Sequence, residues 1–136
     1  MTCLLDTNAC IALVNGAPAR VRERFVTVAA QGERMTTSSV AVFELWYGVA
    51  KSLRRRANEQ RLRAFLSGPI EVLELDAADA REAGLIRATL EGAGTPIGAY
   101  DLFIAGQALR HQARLITANT GEFARVPALR WEDWSG

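Results

Sequence analysis

The sequence predicts an α/β domain in which a mainly parallel sheet of about five short strands is flanked by helices. Two observations predict it. Strand-like and helix-like segments alternate from one end of the chain to the other, as parallel strands joined by helical crossovers require. The first apolar run, "CLL", also breaks off at Asp6-Thr7-Asn8, which puts polar side chains at a strand's carboxyl end, where open α/β sheets bind ligands. With 136 residues, 49% of them hydrophobic, the chain suits one domain over residues 1–136 with one core and no internal repeat or linker.

The elements follow in order. "CLL", residues 3 to 5, reads as a short buried strand, and the oxygens of Asp6, Thr7 and Asn8 suit the cap of a helix starting near Asn8. "APARVRERFVTVAAQG" reads as a second helix, with Pro18 where a first turn tolerates it and Gly32 where a helix stops. "RMTTSS" is a strand running into a serine cap, and the helix from about Val40, "VAVFELWYGVAKS", carries Glu44 in its interior. Residues 54–67 form the next helix, with Leu62, Phe65 and Leu66 at core spacing and "SGP" as its end. "IEVLEL", residues 70–75, alternates as a half-buried strand does, and Asp76 and Asp79 then begin a helix reaching about Leu90, with negative charge at the favourable end of its dipole. "EGAGTPIGAY" is a loop, "DLFIAGQALRHQA" a helix, "RLIT" a strand, "ANTGEF" a loop or single turn, and "ALRW" a last edge strand.

No apolar run approaches the roughly 18 residues of a membrane span, and Asp6 interrupts the N-terminal stretch before it could act as a signal peptide. A cytoplasmic protein without membrane contact is expected. Cys3 and Cys10 fit that setting, as a strand and a helix residue outside any metal or redox spacing. The net charge of +1 hides an uneven distribution: "KSLRRRANEQRLR", residues 51–63, carries six basic residues against Glu59, while residues 71–82 carry five acids against Arg81. Nearly all the positive charge is arginine, the side chain suited to bidentate phosphate contacts, although such a run is more often a solvated helix face. His111, the sole histidine, lies among Arg110, Gln112 and Arg114 and reads as a surface residue near a helix end.

Two further acids lie on apolar stripes. Residues three and four away from Glu44 are Val40, Ala41, Tyr47 and Gly48, and Asp101 shares its face with Ile104, Ala105 and Ala108. Both are expected to point inward, with Tyr47 in the core and Trp46, a quarter-turn away, more open. An inward carboxylate is unfavourable unless it is paired, hydrogen-bonded or bound to a metal. Each acid alone has a structural explanation, as a cap or an arginine partner. Three that can reach one side of a parallel sheet repel one another unless a divalent cation or shared protons neutralise them, and for a cation oxygen-only ligands select Mg²⁺ or Mn²⁺ over zinc. If "RLIT" pairs with the first strand, Asn119 faces the same crevice as Asp6.

"LLDTN", "FELWYG", "PIGAYDLFIAGQAL" and "LITANTGEFARVPALRWEDW", in that order and spacing, resemble the PIN-domain ribonuclease toxins of the VapC type. Within that family the loop "GAGTPIGAYD" is similar to that of the initiator-tRNA-specific endonucleases. The resemblance covers nearly the whole chain. It implies a single PIN domain and a catalytic centre of Asp6, Glu44, Asp101 and Asn119, with Asp6, Asp101 and Glu44 as ligands of Mg²⁺ or Mn²⁺. Many PIN domains carry Asp at the fourth position, where Asn119 ligates or holds water without adding charge; Glu122, three residues on, could restore it. Thr7 and Thr117 could orient ligands. Glu44 could ligate, hold a water or act as general base.

The resemblance further implies an RNA substrate, a tRNA in the nearest members, a cognate VapB-type antitoxin and a homodimer. For a nuclease, Arg54, Arg55, Arg56, Arg61 and Arg63 become candidate phosphate contacts, and Trp46 a candidate stacking surface for a base. Phosphotransfer folds that place Asp after the first strand fit poorly. The phosphatase pattern wants a second Asp at position 8, where this chain has Asn, and a receiver wants a late lysine, whereas Lys51 is the only one. A DNA-directed nuclease and a binding module that has lost catalysis are the remaining alternatives.

Overall fold

The computed structural model describes residues 1–136. Five parallel strands form one sheet: β1 (Thr2–Leu5), β2 (Arg34–Ser38), β3 (Glu71–Leu73), β4 (Arg114–Ile116) and β5 (Trp131–Glu132), in the order β3-β2-β1-β4-β5. Seven helices join or flank them: α1 (Thr7–Asn15), α2 (Ala19–Ala30), α3 (Ser39–Ala50), α4 (Arg55–Leu66), α5 (Ala77–Gly92), α6 (Ala99–Arg110) and α7 (Thr120–Phe123). No helix is long and apolar enough to cross a membrane.

The central strand divides the core by its period of two. Cys3 and Leu5 belong to a cluster of 14 buried residues with Cys10, Phe25, Leu45 and Leu62, whereas Leu4 belongs to a cluster of 13 with Ile86, Leu102, Ile104 and Leu115. Helices α1 to α4 therefore cover one face and α5 and α6 the other. Local chemistry marks the helix ends. Asp6 caps α1 by accepting from the Ala9 N–H, Ser38 caps α3 through Val40, and Asp76 and Asp79 form a reciprocal capping box on α5. Helix α1 stops where Gly16 adopts φ +70°, a conformation that an L side chain rarely takes.

Three expectations need correction. The strand expected over 70–75 is only Glu71–Leu73, because on this edge strand Val72 remains exposed and the chain turns at once toward the Asp76 cap. The last strand lies at Trp131–Glu132 rather than "ALRW", since Leu115 and Ile116 pair with those two residues. "TGEF" is the expected single turn, helical as α7. On α3, Tyr47 is 60% exposed and Trp46 packs partly buried against the first cluster, the reverse of the expected arrangement.

Helix α6, which carries Asp101, is fixed tightly against α5. A Cβ on Gly106 would lie 2.8 Å from the Ala83 nitrogen and 3.0 Å from the Asp79 carbonyl oxygen, both backbone atoms that cannot swing aside. Arg110 adds an ion pair, donating through Nε to the fully buried Asp79 at 2.6 Å. Gly106→Ala is expected to destabilise the protein by about 1–3 kcal/mol through overpacking. Gly84→Ala on α5, where a Cβ meets open space, should instead stabilise by about 0.5–1 kcal/mol. Urea denaturation midpoints of the two variants test this contrast.

Candidate active site

Strand β1 connects toward β2 on one side, while β4 and β5 lie on the other, so the topology switches direction between β1 and β4. Open sheets bind ligands at the carboxyl end of such a point. Leu5 pairs with Ile116, and the Asp6 N–H donates to the Ile116 carbonyl at 3.0 Å, so the chain segments after both strands emerge side by side. Asp6 and Asn119 thus face one crevice, as the pairing of their strands requires.

Asp6 is buried, with 4% of its surface exposed. Burial pushes its carboxyl up from the ordinary range; the Thr117 hydroxyl and the Ala9 N–H oppose that shift by hydrogen bonding, while the charges of Glu44 and Asp133 add to it. Thr117, itself buried, is held in turn by the Asn119 N–H, which donates to its Oγ1 at 2.9 Å. Across the crevice, the Thr7 hydroxyl donates to Glu44 Oε1 at 2.5 Å and fixes that side chain from the first turn of α1. Thr7 and Thr117 both orient the acids.

Asp101 stands in the first turn of α6, and its carboxyl is pushed up to about 7. Burial is the largest cause, followed by its hydrogen bond with Glu122 and the charges of Glu122, Asp6 and Glu44. Glu122 is correspondingly held below its ordinary value, chiefly by that hydrogen bond and then by the Asn119 amide. Asn119 Nδ2 donates to Glu122 Oε2 at 2.8 Å and, more distantly, to Asp101 Oδ2 at 3.4 Å. The amide therefore bridges two acids.

All four predicted catalytic residues, Asp6, Glu44, Asp101 and Asn119, converge on this crevice, and Glu122 joins them from α7. Asp133, which follows β5, is a further acid close enough for its charge to act on Asp6, and sequence reasoning missed it. The available signal was its place just past a strand's carboxyl end. The arginines are arranged differently. Arg54, Arg55 and Arg56 are exposed at the turn into α4, whereas Arg61 and Glu44 line a groove of about 370 Å³ between α1, α3 and α4. Trp46 is engaged by the core and by Arg63, whose guanidinium lies 5.2 Å from its ring centre. His111 is 3.7 Å from the buried Asp79, far along α6 from the acids.

The donor set fits a hard divalent cation in kind: it is all oxygen, and Asp6, Glu44 and Asp101 form no ion pair with any arginine or lysine. Burial and the Glu122 contact raise the Asp101 carboxyl most, the charges of Asp6 and Glu44 add to it, and a cation would relieve that unfavourable negative charge. The three carboxylates face one crevice without standing at ligand distance around a single point: Glu44 is hydrogen-bonded to Thr7 and Asp101 to Glu122.

The family model of the PIN domain matches residues 3–129. The chain is 46% identical to the tRNA(fMet)-specific endonuclease VapC of Shigella flexneri, with 97% of each chain covered, and 42% identical to the tRNA(fMet)-specific endonuclease VapC of Salmonella typhimurium, with 96% of each covered. Among solved structures it matches VapBC2 from Rickettsia felis bound to a promoter DNA fragment at a TM-score of 0.91, with 35% identity over 98% of this chain and 99% of the other. DNA-bound VapBC from Salmonella typhimurium matches at 0.89, with 41% identity over 98% of both chains. Five parallel strands, an acidic crevice at the switch point and these relatives agree: the chain belongs to the PIN-domain family, in its VapC branch.

Proposed function

We propose that this protein is the toxin of a VapBC-type toxin–antitoxin pair, a Mg²⁺- or Mn²⁺-dependent endoribonuclease that cleaves a tRNA in the cytoplasm. The observation that carries the reading is the convergence of Asp6, Glu44, Asp101 and Glu122 on one crevice with Asp6, Glu44 and Asp101 free of ion pairs. Such a cluster is unfavourable for stability and useful for holding a cation against a phosphodiester. A bound divalent cation supplies positive charge for the transition state of phosphodiester hydrolysis and a nucleophile at neutral pH.

The chain's own residues divide the remaining work. Asp6, the cap of α1, and Asp101, at the start of α6, would hold the ion. Glu44, oriented by the Thr7 hydroxyl, would either ligate the ion or accept a proton from the attacking water. Asn119 positions the Asp101 and Glu122 carboxylates, and Glu122 supplies the charge that an amide at position 119 does not. That compensation supports catalysis over a binding-only domain. The exposed Arg54, Arg55 and Arg56, with Arg61 nearer the acids, suit RNA phosphates, whereas the engaged Trp46 is a poor stacking surface. The VapBC neighbours support a cognate antitoxin, and we assign the homodimer to this reading as well.

The test is chelation. Purified protein free of antitoxin, incubated with a tRNA pool, is expected to cut in Mg²⁺ or Mn²⁺, to stop in EDTA, and to resume when the cation is restored in excess. Cleavage that persists in EDTA contradicts a metal-dependent centre.

A further inference from the structure

Also along α1, and sharing Ile11 with the arginine groove, lies a second cavity of about 570 Å³, within the range of small-ligand pockets. It opens beside the acids: Thr117, which hydrogen-bonds Asp6, is in its wall, and Asp133, whose charge acts on Asp6, is at its edge. Ile11, Pro18 and Val21 make much of the lining apolar, and Asn8 stands exposed at the rim in the first turn of α1. A substrate phosphate at Asp6 and Asp101 would leave the base of an adjoining nucleotide within reach of this space.

The polar groups are suited to such a base. Asp133 Oδ1 accepts from the Ser135 N–H at 2.8 Å and from the Ser135 hydroxyl at 2.6 Å, which fixes the carboxylate and leaves its other oxygen without a partner in the chain. A fixed carboxylate oxygen accepts from an exocyclic amino group, and the Asn8 amide can donate to a ring nitrogen beside it. The apolar walls suit the faces of a base unstacked from a single strand. An oxygen edge such as uracil's O4 would instead meet the carboxylate as acceptor against acceptor. A backbone phosphate inside the cavity is equally unsuited, since Asp133 repels it and no arginine or lysine lines the walls.

We propose that this cavity is a base-reading subsite in which Asp133 and Asn8 select an unpaired base that carries an exocyclic amino group, next to the cleaved phosphate. The inference rests on the ribonuclease reading. Single-stranded RNA oligonucleotides that differ only in the nucleotides flanking the cut test it, with adenosine set against purine riboside, which lacks the amino group, and cytidine against uridine. Wild-type protein is expected to favour the amino-bearing partner roughly tenfold in kcat/KM, and Asp133→Asn and Asn8→Ala each to lose most of that preference. A merely structural Asp133 would lower cleavage of all oligonucleotides alike, and discrimination retained by both variants overturns the subsite. If wild-type protein cuts no oligonucleotide, the ribonuclease reading is judged separately, by whether the same protein cuts a tRNA pool in Mg²⁺. Fluorescence anisotropy with the same oligonucleotides then decides the subsite, which stands if Asp133→Asn abolishes an amino-dependent difference in binding and falls if there is none.

Discussion

Asp6→Asn is expected to reduce RNA cleavage by a factor on the order of 100 or more while leaving the protein folded, as for loss of a charge aimed at the transition state. The asparagine oxygen can still accept the Ala9 N–H, so the cap of α1 survives, and the Thr117 contact remains within reach. What disappears is the negative charge on the most deeply buried acid in the crevice. An unchanged thermal midpoint beside a collapsed rate separates this charge from a structural role. Full activity in the variant would remove Asp6 from the centre.

The second large effect has the opposite sign for stability. Asp101→Asn should make the cation-free protein more stable, by about 1–2 kcal/mol once solvent screening of a half-exposed group is allowed for, while abolishing cleavage. The direction follows from the folded-state shift. Burial and the Glu122 contact raise the Asp101 carboxyl to about 7, above its ordinary value of 3.8, so the folded protein holds this proton more tightly than the unfolded chain does. The native carboxylate therefore destabilises the fold fully above about pH 7, less as pH falls through that value, and not at all below 3.8. The gain from the variant should appear between pH 4 and 7, level off above, and shrink when Mg²⁺ is added. Urea melts at pH 4, 6 and 8 measure it, and a gain independent of pH contradicts the electrostatic origin.

Much of this arrangement was legible in the chain because local signals and global topology agree. Asp6 stands at the break between a strand and its helix, and the pairing of β1 with β4, conditional in the sequence, is what joins it to Asn119. Asp101 and Glu44 were legible as charges on apolar stripes. The stripe failed for Trp46 and Tyr47, because α3 is apolar around most of its circumference and a helix of that kind does not declare its buried face. Glu122 and Asp133 were harder still. Each is one acid in a polar segment, and its position depends on the short β4–β5 pairing, whose register the sequence displaced toward "ALRW". Asp79 looked like a helix-start charge and is also the buried partner of Arg110, a contact between residues 31 apart that no local pattern encodes.

The central claim, that the crevice of Asp6, Glu44 and Asp101 cleaves RNA, is tested most directly by mapping new 5′ ends in total RNA exposed to wild-type protein or Asp6→Asn with Mg²⁺. The account predicts ends concentrated at one position in a tRNA with the wild type and none with the variant. The same ends produced by both proteins, or no ends from folded, antitoxin-free wild type, would contradict it.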